Sequence, residues 1–98
     1  MPTGLKVVLS KRAQKDFDDI LNYIKKDFGS LHAINFKNLV IKFLDLIGVF
    51  PEMGSLEEHN TSMRAFVVHR RLKVFYRFDD NRLIVLRLFD TRQHPDQS

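Results

Sequence analysis

Not one of the 98 residues is a cysteine. A disulfide framework and a thiolate metal site are therefore both excluded, and nothing asks for an oxidising compartment. No Pro-, Gly- or Ser-rich linker divides the chain either. Residues 1–98 read as one domain with one modest core, since a chain of this length buries only roughly two-thirds of its unfolded surface. Also missing are the roughly 18 uninterrupted apolar residues of a membrane span and the charged, apolar and small-residue succession of a secretion signal. The expectation is a soluble, cytoplasmic protein that does not engage a membrane.

The familiar chemical motifs are absent too. His32, His59, His69 and His94 are scattered, with no HxxxH or HExxH spacing to make a metal site. There is no Gly-rich phosphate loop and no GxSxG elbow, so neither a metal nor another cofactor is expected. Asp16, Asp18 and Asp19 fall on the polar side of a helical pattern and read as a solvated face.

What the chain does have is an uneven distribution of charge. The net charge is +4. Residues 1–63 hold seven Lys and one Arg against eight Asp and Glu, whereas residues 64–98 hold seven Arg and one Lys against four Asp, so the whole excess lies in the last third. Arginine presents a planar, permanently charged fork that pairs two-pronged with phosphate or carboxylate. That third is the candidate working surface, unless its arginines only solvate the outer side of a sheet.

The periodicity predicts an α+β domain. A short β-branched strand runs from Leu5 to Leu9, and Ser10 stands where a helix N-cap belongs. Ala13, Phe17, Ile20, Leu21, Ile24 and Phe28 then recur at helical intervals as one buried stripe. Gly29 is a C-cap and Ser30 the next N-cap, so a two-residue break leads into a second helix carried by Ile34, Leu39, Val40, Phe43, Leu44, Ile47 and Phe50 and stopped by Pro51. Two helices so joined form an antiparallel hairpin. Residues 51–63 are polar and turn-rich, a surface loop. The alternation of strands follows in "RAFVVH", "LKVFYRF" and "RLIVLRLF", a three-stranded antiparallel meander with the helices on one face of the sheet. The apolar strand 83–89 belongs in its middle, beside the N-terminal strand.

If "DDNR" closes the last hairpin symmetrically, Asp79 opposes Arg82, Phe78 opposes Leu83, Tyr76 opposes Val85 and Val74 opposes Arg87. Strict alternation then collects Leu72, Val74, Tyr76, Phe78, Leu83, Val85, Arg87 and Phe89 on one face, and Lys73, Phe75, Arg77, Ile84, Leu86 and Leu88 on the other. Each face mixes basic with apolar residues, so the helices cover one and a partner or substrate can cover the other. Arg64, Lys73, Arg77, Arg87 and Arg92, with Phe75 and Tyr76 nearby, suit RNA, because phosphates pair with guanidinium groups and splayed bases stack on rings. The same cations suit an acidic peptide docking on exposed apolar residues such as Leu86 and Leu88. Arg87 alternatively forms a structural ion pair with Asp90, Glu57 or Glu58.

Taken together, "VVLSKRAQKDFDDILNYI", the helix closing on "FP", and "VFYRFDDNRLIVLRLFDTRQHP" resemble the RelE/ParE superfamily of type II toxin–antitoxin toxins over nearly the whole chain. The telling portion is "FYR", an acidic turn, "IVLRLFD" and then "RQ", in that order. The resemblance implies a compact α+β toxin held inactive in a hetero-oligomer by a cognate antitoxin. It also implies one of two targets, since fold does not choose between them. RelE-like members cleave mRNA on the ribosome with basic residues on the sheet and after its last strand. By that likeness Arg92 matches the post-strand arginine, Lys73 and Arg77 match the sheet positions, and His94 is the sole proton-transfer candidate, because no tyrosine follows Arg92. ParE-like members poison DNA gyrase and cleave nothing. "FYR" followed by "VLR" looks more ParE-like, and the gyrase-directed reading is preferred over the nuclease. For the target- and antitoxin-binding surface the expectation is Arg64, Arg77, Arg87, Arg92, Phe75, Leu86 and Leu88. A nonenzymatic binding module is the third possibility.

Overall fold

A computed structural model describes residues 4–59 and 62–91. In chain order it contains β1 (Lys6–Leu9), α1 (Lys11–Phe28), α2 (Ser30–Val49), a 3-10 turn (Pro51–Met53), β2 (Ser55–Leu56), β3 (Arg64–Val68), β4 (Leu72–Phe78) and β5 (Arg82–Asp90). The strands form one sheet in the order β1-β5-β4-β3-β2, with β1 parallel to β5 and every other neighbour antiparallel. The α+β architecture, the helical hairpin on one face and the internal position of β5 beside β1 agree with the sequence reading. Among the described residues, no helix is long and apolar enough to cross a membrane.

Local chemistry explains the helix ends. Ser10 caps α1, its Oγ accepting from Ala13 N at 3.0 Å while also donating to Leu86 O at 3.1 Å. One residue, Gly29, separates the helices at φ 95°, a backbone angle that only glycine adopts without strain. Gly29 itself is the N-cap of α2; Ser30 is already helical and makes no capping bond. The segment 51–63 holds more order than its composition suggests, because β2 lies within it and adds an edge to β3.

The core lies between the helices and one face of the sheet. Ile20 and Ile24 of α1 and Val40, Phe43 and Ile47 of α2 meet Leu72, Val74, Tyr76, Leu83, Val85 and Leu88. Each such buried aliphatic or aromatic chain contributes about 1.5–3 kcal/mol over leaving it in water. Phe43 stacks on Phe66 of β3 at 5.2 Å, which ties α2 to the far side of the sheet. Phe28, Ile34 and Phe50, expected on buried stripes, lie about half exposed at the helix ends and on the outer side of α2.

Tyr76 pins the loop to this core. Wholly buried in β4, it donates from Oη to Pro51 O at 2.8 Å and accepts from Gly54 N at 2.9 Å. Burial pushes its pKa above the ordinary value, while the Gly54 N–H and the nearby Arg64 pull the other way.

The β4–β5 register holds one correction. Phe78 faces Leu83 and Tyr76 faces Val85, as the turn predicts, but Phe75 then faces Arg87. Leu86 is an extra residue, a β-bulge that shifts the alternation of β5 by one. Arg87 opposes Phe75 rather than Val74, so Arg87 and Phe89 stand on the open face. Leu88 moves to the helix face, where only 2% of its surface is exposed. The reason is hydrophobic: the shift buries Leu88 instead of a guanidinium.

Candidate functional site

The face of the sheet turned away from the helices is the candidate site. Along β4 it presents Lys73, Phe75 and Arg77; along β5, Arg82, Ile84, Arg87 and Phe89; along β1, Lys6 and Val8. None of the described strand positions on this face is Asp or Glu. Five cations therefore surround an aromatic and aliphatic centre.

Ring contacts organise that centre. Phe75 and Phe89 meet edge to face at 5.7 Å. The Lys73 ammonium sits 4.9 Å from the Phe75 ring centroid, and the Arg87 guanidinium carbon sits 4.4 Å from that of Phe89. Cation–π contacts at such exposure contribute about 0.5–1 kcal/mol each, enough to orient flexible side chains.

Arg87 is held more firmly by α1. Its Nε donates to Asp16 Oδ2 at 2.7 Å and its Nη2 to Asp16 Oδ1 at 3.3 Å, while the backbone N–H of Leu88 donates to Asp16 Oδ2 at 3.0 Å. The partner is neither Asp90, whose side chain lies buried on the helix face, nor Glu57 or Glu58. Asp16 is thus no solvated carboxylate; its side chain is only 12% exposed. β1 pairs β5 only up to Val85, so beyond it the outer edge of β5 is open, and Ser10 and Asp16 cap that edge.

At the other end of the face, Arg77 and Arg82 line a cleft of about 350 Å³ with Ser62, Phe78, Asp79 and Ile84. The Asp79 carboxylate is turned to the backbone, accepting from Asn81 N at 2.8 Å and Arg82 N at 3.0 Å. These bonds hold its pKa below the usual carboxylate value, helped by Arg82 and Arg77. With that carboxylate engaged, neither guanidinium has a side-chain hydrogen bond among the described residues.

The expected site residues divide accordingly. Lys73, Phe75, Arg77 and Arg87 come together on the open face, and half-buried Leu86 stands at the bulge. Arg64 does not join them. As the cross-strand partner of Tyr76 it lies on the helix face, where Nη1 donates to Gly54 O at 2.7 Å and to Glu52 O at 3.3 Å. It is a brace for the loop. Leu88 belongs to the core, and Arg92 and His94 lie outside the described residues. Sequence reasoning missed Asp16, Lys6 and Arg82. Parallel pairing of "LKVVLS" with the last strand was the signal for the two cations, since it places Lys6 directly beside Arg82.

Comparison with known proteins decides the family. The family model described as ParE toxin of type II toxin-antitoxin system, parDE, matches residues 7–95. This chain belongs to the ParE toxin family. No curated protein shows a significant sequence match. Solved structures agree in fold: a chain of the chromosomal ParDE system from P. aeruginosa superposes with TM-score 0.75 at 13% identity, covering 91% of this chain and 98% of that one. The YoeB dimer from Staphylococcus aureus gives TM-score 0.53 at 18% identity, covering 87% of this chain and 94% of the other. The solution structure of HP0894 from Helicobacter pylori, a conserved hypothetical protein, gives 0.50 at 22%, covering 90% and 96%. The ParE-family chain is accordingly a toxin of a type II toxin–antitoxin system, and its partner is a cognate antitoxin.

Proposed function

We propose that this ParE-family toxin arrests growth by binding DNA gyrase, and that the open face of its sheet is the surface its antitoxin occupies in the neutralised complex. The observation that carries the reading is the composition of that face: Lys6, Lys73, Arg77, Arg82 and Arg87 around Phe75, Ile84 and Phe89, with no carboxylate from the strands. Such a surface steers an acidic segment towards it through long-range charge and then holds it by apolar contact. Membership of the ParE rather than the RelE branch, by the family model over residues 7–95, supports the same reading.

The tyrosine of "FYR" offers no proton-transfer group to this face. Tyr76 points into the core and both bonds of its hydroxyl go to the loop. A ribosome-dependent nuclease remains the second reading on one specific ground: Lys73 and Arg77 flank Phe75 on a single strand, an arrangement that pairs phosphates on either side of a stacked base. In that case Arg92 and His94 supply the remaining chemistry.

Purified protein tested side by side on gyrase supercoiling and on ribosome-bound mRNA separates the two. Inhibited supercoiling with intact mRNA is the expected result. Cleaved mRNA with normal supercoiling assigns the nuclease. Neither effect, with growth untouched on induction, leaves only a binding module.

A further inference from the structure

The β3–β4 hairpin closes through Val68-His69-Arg70-Arg71, with Arg71 N donating to Val68 O at 3.1 Å. Its two central residues both occupy the left-handed region, His69 at φ 52° and Arg70 at φ 65°. A turn with both central residues left-handed favours Asn-Gly, because bulky side chains are strained there; here it sits in a three-residue loop, since Val68 pairs with Leu72. Strain of this sort persists only where the surroundings enforce it, and it concentrates at functional positions. Here the enforcement is visible: Thr91 N, at the exit of β5, donates to Arg71 O at 2.7 Å. The backbone of the tip is therefore clamped between two strands and the start of the C-terminal segment.

The side chains are not clamped. His69, Arg70 and Arg71 are all exposed, and none makes a side-chain hydrogen bond or ion pair among the described residues. The carboxylate nearest along the sheet, Asp90, is buried on the helix face. A strained turn that displays two guanidinium groups and an imidazole, none with a hydrogen-bonded or ionic side-chain partner among the described residues, owes its composition to no internal polar contact seen there.

We propose that this hairpin tip contacts the phosphate backbone of a nucleic acid. Exposed arginines on a rigid loop match phosphate oxygens two-pronged and need no sequence-specific contact to bind. A peptide partner would want apolar anchors beside the charge; the apolar cleft at the tip, which Phe43, Leu46, Phe66 and Val67 help to line, includes His69 but neither arginine, so polyglutamate is set against the nucleic acids in the test. Lys73 stands two residues beyond the tip, on the open face, and continues the positive track. The inference is independent of the gyrase reading, since it concerns the end of the hairpin and a different ligand.

The test is fluorescence anisotropy of the full chain with labelled random-sequence duplex DNA and with single-stranded RNA of equal length, each across a salt series. Wild type should bind, and Arg70→Asn should lower the slope of log affinity against log salt by about one unit while raising Tm, because asparagine accepts the left-handed angle and removes one phosphate contact. Arg70→Lys should keep the slope, and Arg71→Gln should reduce it. The nucleic acid whose slope changes is the source of the phosphates; a change with both means the backbone alone is read. No binding at low salt, or the same slope in Arg70→Asn as in wild type, overturns the proposal. So does binding to polyglutamate, but to neither nucleic acid, that depends on Arg70.

Discussion

Asp16 on the first helix and Arg87 on the last strand, 71 residues apart, share a hydrogen bond of 2.7 Å, and the same carboxylate oxygen accepts the N–H of Leu88. One side chain thus fixes both the direction of a guanidinium on the open face and the open edge of the strand that carries it. Removing it leaves three N–H donors, Arg87 Nε, Arg87 Nη2 and Leu88 N, without their acceptor in a half-buried place, which costs about 1–3 kcal/mol. Asp16→Ala should lower stability by that amount in urea unfolding. Asp16→Asn should lose less, because an amide oxygen in the place of Oδ2 still accepts from both Leu88 N and Arg87 Nε while only the Arg87 Nη2 bond and the carboxylate charge are lost, so the Arg87 Nε–H resonance should move less than in the alanine variant.

The bulge predicts an asymmetry between substitution and deletion. Leu86→Ala keeps every other residue on its face and should fold, losing only half-buried apolar area. Deleting Leu86 removes the bulge and restores strict alternation, with Arg87 still opposite Phe75 on the open face and Leu88 still opposite Val74 in the core. The deletion variant should therefore keep a cooperative thermal transition and dispersed amide resonances, at a lower Tm than Leu86→Ala, because the bond from Ser10 Oγ to Leu86 O and the local bend of β5 are lost.

Tyr76 sets a third expectation. Tyr76→Phe leaves the Gly54 N–H without its acceptor and should cost about 1–3 kcal/mol. Because the folded-state pKa of Tyr76 lies above its ordinary value of 10.0, its contribution is complete below that pH and is lost as pH rises through the folded value. Unfolding followed between neutral and alkaline pH should show an alkaline decline that is weaker in Tyr76→Phe. Gly54→Ala should be the harsher change, since a Cβ there would lie 2.6 Å from the tyrosine oxygen and 3.0 Å from Ala65 O.

Lys73 and Arg77 carry no fold-determining hydrogen bond, so they test the open face cleanly. The double variant Lys73→Ala/Arg77→Ala should keep its Tm within a few degrees of wild type and lose growth arrest on induction. It should also bind its antitoxin more slowly, most visibly at low salt, as expected when charge sets the rate of encounter.

Much of this architecture is legible in the residues because local signals and burial agree. Ser10, Gly29 and Pro51 mark helix ends by their own chemistry, and "DDNR" closes its hairpin as drawn, with Asp79 N bonded to Arg82 O at 3.0 Å. The bulge is not legible, since no glycine or proline marks Leu86 and "LIVLRLF" fits two registers equally well until the helices select one. Nor is the role of Asp16 legible: Asp16, Asp18 and Asp19, neighbours among the four carboxylates of α1, look alike until the edge of β5 is laid against one of them. The two-residue β2 is too short for any periodicity to show. Arg64 counts as one more cation until the ladder sets it beside Tyr76 and beneath the loop.

Leu86 also lets a single strand serve two clients whose demands are unrelated. Residues packed under the helices and residues turned to the open face occupy β5 and its neighbour β4 without competing for a position. Lys73, Phe75 and Phe89 can accordingly be exchanged while the scaffold beneath them stays as it is. The architecture is modular at the resolution of one amino acid.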